Sequence, residues 1–131
     1  MEVRVDLAQI LISETRDHQL IALRERDGQR VLHIVIGFHE ATAINRRVKG
    51  EVPVRPMTHE LLSSVIESLE GELEKIVVNH LHGGTFYAKL VIRRNGKLVE
   101  IDSRPSDAIA LGAAGDVPIY VEERVLKEAA Q

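Results

Sequence analysis

Residues 102–107, with the sequence Asp-Ser-Arg-Pro-Ser-Asp, bring two carboxylates, two hydroxyls and one guanidinium together within six positions. The proline, and the apolar residues Ala108, Ile109 and Leu111 that follow it, predict that this segment starts a helix. Free backbone N–H groups and the helix dipole favour an anion at such a start. A phosphate held there would have Arg104 as its bidentate partner, so the segment indicates phosphate chemistry.

The same segment supports an interpretation without any ligand. In this alternative Ser103 or Asp102 caps the predicted helix, Asp107 faces the helix dipole, and Arg104 is a solvated side chain. Helix caps are far commoner than binding sites, so the pattern by itself favours the capped helix. Both interpretations stay open at the level of these residues alone.

Two histidine–glutamate pairs, His39-Glu40 and His59-Glu60, each stand at a predicted helix start. An imidazole next to a carboxylate has the donor types for binding a metal ion or for acid–base catalysis. Adjacent residues of a helix point in different directions, so neither pair forms a site by itself. Solvated polar surface is therefore the favoured interpretation of each pair taken alone.

Two predicted hairpins carry further charged or metal-ligating residues. His80 and His82 alternate along one strand, so they share a face and have the spacing to bind a divalent ion. A hairpin edge next to Gly83-Gly84 is the favoured alternative. Residues 93–97 (Arg-Arg-Asn-Gly-Lys) place three cations on one hairpin tip, which makes them the best candidate contact for nucleic acid. A charged turn that keeps the hairpin soluble is again the favoured alternative.

Size and composition restrict the class of protein. The 131 residues, 44% hydrophobic and 28% charged, predict one folded domain over residues 1–131. The lack of cysteine excludes a disulfide framework, a thiolate metal site and a cysteine nucleophile. The charged N-terminus and the absence of a long apolar run predict neither a signal peptide nor a membrane anchor. We therefore expect a cytoplasmic protein.

Charge and aromatic content bear on nucleic-acid binding. A net charge of −3 and 3% aromatic residues argue mildly against tight non-specific binding, since counterion release needs cations and base stacking needs rings. A local basic patch remains compatible with this balance. The sequence also contains no phosphate-binding glycine loop, no Gly-x-Ser-x-Gly elbow and no His-Glu-x-x-His zinc helix.

Hydrophobic periodicity predicts strands and helices in alternation. The first half predicts three strands with a two-residue turn at Asp27-Gly28, a helix from Phe38 to Val48, and a short strand at residues 52–54. A second helix, capped by Thr58 and closed by Gly71, follows. The apolar stripe expected to bury this helix comprises Leu61, Val65, Ile66 and Leu69.

The second half repeats this order of elements, with Asn95-Gly96 as its hairpin turn. A shift of 65 positions aligns Ile36 with Ile101, Gly50 with Gly115, and residues 52–54 with residues 117–119. The predicted fold is therefore α+β, with two internally duplicated βββα-β-α units over about residues 1–70 and 71–131. We expect mostly antiparallel sheets with helices packed on them, and equivalent positions for the two glycines.

Two small sheets would leave edge strands. The segment from Phe86 to Ile92 has an apolar and a charged face, and we expect it at such an edge. A partner subunit would cover it, which predicts a homo-oligomer, either a dimer or a trimer.

Several segments together resemble a known family, the bifunctional nuclease domain. They are residues 84–90 (Gly-Thr-Phe-Tyr-Ala-Lys-Leu), residues 101–111 around the Ser-Arg-Pro-Ser-Asp-Ala string, and residues 118–123 (Pro-Ile-Tyr-Val-Glu-Glu). Residues 36–41 and 55–61 are similar to it as well. The resemblance implies an α+β fold and nuclease activity on both RNA and DNA with little sequence preference. Single-stranded RNA or DNA is the expected partner.

The resemblance also gives the polar helix starts a role. A phosphodiesterase would use carboxylates to hold a divalent metal, Mg²⁺ or Mn²⁺, that activates water. The catalytic candidates are Asp102, Asp107, Glu40, His59 and Glu60, and the phosphate-binding candidates are Ser103, Arg104 and Ser106. The alternative is a non-catalytic binding or assembly module, in which the same polar helix starts are caps and subunit contacts.

Overall fold

Residues 1–15 and 17–130, which the computed structural model describes, form seven strands and four helices. In chain order they are β1 Glu2–Leu11, β2 Gln19–Glu25, β3 Val31–Ile36, α1 Phe38–Val48, α2 Thr58–Ser68, β4 Gly71–His82, β5 Thr85–Arg94, β6 Lys97–Ser103, α3 Pro105–Ala113, β7 Ile119–Glu122 and α4 Glu123–Ala129. The predicted α+β class is confirmed. Within these ranges, no helix is both long and apolar enough to cross a membrane.

All seven strands lie in one mixed sheet, in the order β3-β2-β1-β7-β4-β5-β6. Every neighbouring pair is antiparallel except β4 and β7, which run parallel. The expectation of separate sheets is therefore wrong. The segment from Phe86 to Ile92 is also not at an edge, because β5 pairs with strands on both sides and the edges are β3 and β6.

The alternating apolar residues of the strands face the helices, as the period-two pattern predicts. Ile21, Leu23 and Ile76 from the sheet are fully buried with Ile44 of α1 and Ile109 of α3. The pairing of β1 with β2 contains a register shift between Leu7 and Gln9.

The two halves share the order of three antiparallel strands followed by a helix, and α1 packs against α3. Residues 52–54 are not a strand, whereas the last of their counterparts, Ile119, begins β7, which pairs with both β1 and β4. Gly50 has φ +74°, but the left-handed residue after α3 is Asp116, at φ +54°, and not Gly115. The two glycines therefore do not play equivalent parts, and the internal duplication stays a prediction.

The hairpin turns depart from expectation at one place. Asn95 and Gly96 have φ of +51° and +75°, as the predicted two-residue turn requires. The loop at Asp27-Gly28 is longer, because β2 ends at Glu25 and β3 begins at Val31. Its closing contacts come from Arg30, whose backbone N–H and guanidinium both donate to the Glu25 carboxylate. Those contacts hold the loop without a left-handed glycine.

The predicted ends of two helices are wrong by one or two residues. The N-cap of α2 is Met57 and not Thr58, and the Met57 N–H donates to the Glu60 carboxylate at 3.1 Å. The left-handed residue after α2 is Glu70, at φ +62°, rather than Gly71. The N-cap of α3 is Arg104, which makes no side-chain cap hydrogen bond. The predicted caps Ser103 and Asp102 both lie in β6 instead.

The apolar stripe of α2 is not buried as predicted. Leu61, Val65 and Leu69 are 57%, 44% and 58% exposed, and only Ile66 packs against the core. The helix contacts α3 and β4, yet the other three residues of its apolar stripe stay on the surface.

Candidate functional site

The first turns of three helices meet at one pocket of about 390 Å³. α1 contributes His39 and Glu40, α2 contributes His59, and the start of α3 contributes Arg104 and Asp107. Each helix start carries free backbone N–H groups and the positive end of a dipole. The convergence of three such starts favours an anion in this pocket.

Local chain geometry brings these side chains to the pocket. Gly37 follows β3, and a Cβ at this position would collide with the Glu40 carboxylate, so glycine leaves room for Glu40 to fold back over the start of α1. Arg104 precedes Pro105 and is extended, with φ −73° and ψ 145°, as a residue before proline prefers. This conformation lets β6 pass directly into α3.

The Asp107 carboxylate lies between the imidazole of His59 and the guanidinium of Arg104 and hydrogen-bonds both. His59 Nε2 lies 3.1 Å from Asp107 Oδ1, and Arg104 Nε donates to Oδ2 at 2.9 Å. Nη1 of Arg104 lies 3.6 Å from Glu40 Oε2. Burial disfavours the charge on Asp107, but the hydrogen bonds from Arg104 and His59 outweigh it, so the pKa of this carboxyl lies below its ordinary value. An ionised carboxylate therefore orients both neighbours.

Two of the predicted catalytic residues lie outside this pocket. Glu60 points away from it and accepts a hydrogen bond from Arg47 Nη1 at 2.6 Å. Burial opposes the ionisation of Glu60, yet the hydrogen bond from Arg47 prevails and the pKa of Glu60 is lowered. Asp102 lies on β6 and lines a neighbouring groove. The structure thus separates Glu60 from His59 and Asp107, whereas Asp102 shares only the neighbouring groove with them.

Two further cavities adjoin the pocket, and Arg104 lines both. One, of about 410 Å³, lies among β3, the β4–β5 turn and the start of α3, and Ser106 lines it. The other is a groove of about 620 Å³ between α2 and strands β5 and β6, lined at one end by His59, Asp107 and Ser103. The Ser103 hydroxyl itself donates to the Arg104 carbonyl at 2.8 Å. Arg104 therefore stands where three cavities meet.

The donor set of the pocket does not fit a resident divalent metal. The guanidinium of Arg104 already lies between the carboxylates of Glu40 and Asp107, in the position that a bridging cation would need. Over the described ranges 1–15 and 17–130, no three His, Asp or Glu side chains converge as metal ligands. The positive charge of this site comes from arginine.

The two hairpin groups add little to this site. The rings of His80 and His82 are nearly parallel, with centroids 6.1 Å apart, which confirms that they share a face. At the basic tip, Arg93 Nε donates to Glu74 at 2.7 Å and Arg94 Nε donates to the Leu69 carbonyl at 2.8 Å. Two of the three cations predicted to contact nucleic acid are thus already hydrogen-bonded to other residues of the chain.

Sequence reasoning missed two arginines of α1. Arg47 is only 8% exposed and holds the end of α3 through the Ala110 and Leu111 carbonyls. Arg46 lines the pocket, and its buried Nε has no hydrogen-bond partner among the described residues. Helical spacing could have predicted the burial of Arg47, because Arg47 lies three residues after the apolar Ile44 and therefore on the same face of α1.

Fold and site together define an α+β protein with a cleft at three converging helix starts, lined by His59, Arg104 and Asp107. The family model for the bifunctional nuclease domain matches residues 21–131, and the chain belongs to that family. The predicted membership is confirmed. Two relatives, both uncharacterized proteins of Mycobacterium tuberculosis (strains CDC 1551 / Oshkosh and ATCC 25618 / H37Rv), are 41% identical over 128 residues. The match covers 98% of this chain and 75% of each relative.

Proposed function

We propose that the chain is a nuclease-like phosphodiesterase that cleaves RNA and DNA at the pocket around Arg104. Family membership supports a nuclease-related function. The observation that carries the choice of site is the Asp107 carboxylate, which hydrogen-bonds an imidazole and a guanidinium where three helix starts meet. A phosphodiester needs a cation for its charge and a base for its nucleophile, and this cluster provides both.

In the proposed reaction Arg104 and the helix starts bind the scissile phosphate. Donation from His59 Nε2–H to Asp107 leaves the Nδ1 lone pair free to take a proton from the attacking water. The new P–O bond forms as the bond to the leaving oxygen breaks, and that oxygen is protonated by His39, the second imidazole of the pocket. Asp107 orients His59 and stabilises its imidazolium. Water serves as nucleophile for RNA and DNA alike.

Electrostatics elsewhere in the sheet support a local site. Several cations of the strands are engaged within the protein, since Lys75 pairs with Glu2 at 2.7 Å and Lys89 with Glu100 at 3.0 Å. Arg104 stays accessible at the junction of three cavities despite its carboxylate partners. A net charge of −3 is therefore compatible with a confined cationic cleft.

The test is incubation of the purified protein with labelled single-stranded RNA and DNA, with Mg²⁺ or Mn²⁺ and separately with chelator. We expect cleavage of both polymers, and persistence of cleavage in chelator because the donor set does not fit a resident metal. Arg104→Ala should abolish cleavage, whereas Arg94→Ala, the matched change at the hairpin tip, should not. Absence of cleavage under every condition would contradict the proposal, and loss of cleavage in chelator would contradict its metal-free chemistry.

A second proposal concerns assembly. The exposed stripe of α2 formed by Leu61, Val65 and Leu69 lies on the surface, and β6 is an unpaired sheet edge. Exposed apolar stripes and open strand edges favour association. We therefore propose a homo-oligomer, a dimer or trimer, which is also the state that a non-catalytic assembly module would need.

Light scattering at micromolar concentration should report a dimer or trimer for this chain. The double change Leu61→Glu and Val65→Glu should shift it to monomer, because it places charge in the buried stripe of the assembly. Val54→Glu, the same kind of change on an exposed loop residue, should leave the oligomer intact. A monomer in the unmodified protein would count decisively against the assembly.

A further inference from the structure

The groove of about 620 Å³ beside the pocket differs from it in chemistry. Its walls are apolar, with Leu62 and Ile66 from α2, Phe86 from β5 and Ile101 from β6. Its polar residues are the cluster of His59, Arg104 and Asp107, together with Asp102. The volume is in the range of small-molecule sites, and an apolar trough next to the Arg104 guanidinium fits a ligand that is flat and apolar at one end and anionic at the other.

We propose that this groove binds a nucleobase of the substrate, next to the phosphate at Arg104. The inference rests on the proposed function and specifies its substrate as single-stranded nucleic acid with an unstacked base. A nucleotide has the required chemistry, because its phosphate matches the guanidinium and its base matches the apolar walls.

Phe86 has the position that base recognition needs. It lines both the groove and the cavity of about 410 Å³, so its ring lies between two spaces that open next to Arg104. Only four residues of the chain are Phe, Tyr or Trp, which makes an aromatic side chain at this junction a distinctive feature. A base inside the groove cannot remain paired, so the groove also selects single strands over duplex.

Calorimetric titration with three probes separates the contribution of the base to affinity from that of the phosphate. The probes are inorganic phosphate, ribose 5-phosphate and adenosine 5′-monophosphate. We expect the nucleotide to bind about 5- to 150-fold tighter than ribose 5-phosphate, since stacking of one base contributes about 1–3 kcal/mol. Leu62→Gln and Phe86→Leu should remove most of this difference and leave ribose 5-phosphate binding unchanged. Ser64→Gln, an exposed position of α2 outside the groove, should change neither.

The outcomes distinguish this inference from the proposed function. Equal affinity for nucleotide and ribose 5-phosphate, with phosphate binding that Arg104→Ala abolishes, overturns the base site and leaves the phosphate site standing. Absence of binding by all three probes overturns both. If Leu62→Gln instead dissociates the oligomer and leaves the nucleotide preference intact, a second subunit covers the groove and the base site is wrong. Cleavage of duplex as fast as of single strands also contradicts it.

Discussion

Asp107→Asn is expected to lower nuclease activity by about 10²- to 10⁴-fold, the range that a general acid–base group contributes. The amide keeps the size of the carboxyl but has one acceptor oxygen where Asp107 serves two donors, His59 Nε2 and Arg104 Nε. The imidazole then loses the partner that fixes its tautomer and stabilises its charged form. Rates of oligonucleotide cleavage at saturating substrate would measure the loss.

The matched control is Asp27→Asn, which makes the same change in the β2–β3 loop, outside all three cavities at the helix starts. It should retain full activity. Circular dichroism should show the Asp107 variant folded, because Asp107 caps no helix and α3 has no side-chain cap to lose. If Asp107→Asn keeps full activity, or only lowers the melting temperature, Asp107 is a structural residue and the catalytic assignment fails.

The strands were the most predictable part of the fold. Alternation in β5 assigns Leu90 and Ile92 to the buried face, and the left-handed preference of Asn95-Gly96 fixes the turn after it. Residues 52–54 show the limit of such reasoning. Pro53 makes the backbone extended, but a strand also needs a partner with free N–H and C=O groups, and no local pattern reveals one.

The same limit explains the stripe of α2. Helical spacing in this segment shows that one side is apolar, but it does not state what covers that side. Ile66 meets the core, while Leu61 and Val65, which belong to the same predicted stripe, face outward. Burial of the remaining residues would need a surface outside the chain, and for this reason the stripe carries the proposal of assembly.

For the site, sequence indicated each polar helix start but not how the starts meet. His59 and Glu60 are adjacent, so the rotation of about 100° per residue of a helix sends them to different sides. His59 enters the pocket and Glu60 contacts Arg47. Only the packing of α2 against α3 decides which of the two meets Asp107, and that packing is a long-range property.

Arg47→Met is expected to lower the free energy of unfolding by about 2–4 kcal/mol, because it removes one partner of a largely buried ion pair. Arg47 donates to the Ala110 carbonyl at 2.5 Å, to the Leu111 carbonyl at 3.2 Å and to Glu60 at 2.6 Å. The change leaves those carbonyls and the carboxylate short of donors. For a domain of this size the melting temperature should fall by roughly 8–16 °C, measured by calorimetry.

Arg46→Met is the matched control. The Arg46 guanidinium lies 3.9 Å from the Glu60 carboxylate, so its removal should lower the free energy of unfolding by less than about 1 kcal/mol.

The pH dependence of stability provides a second measurement. Glu60 has a lowered pKa, so its contribution to stability is present above its ordinary pKa of 4.5 and is lost as pH falls through the native value. The difference in free energy of unfolding between the unmodified protein and Arg47→Met should therefore become smaller as the pH falls. Equal losses in the two variants, or a gap independent of pH, would show that Arg47 does not fasten α2, and with it His59, to α3.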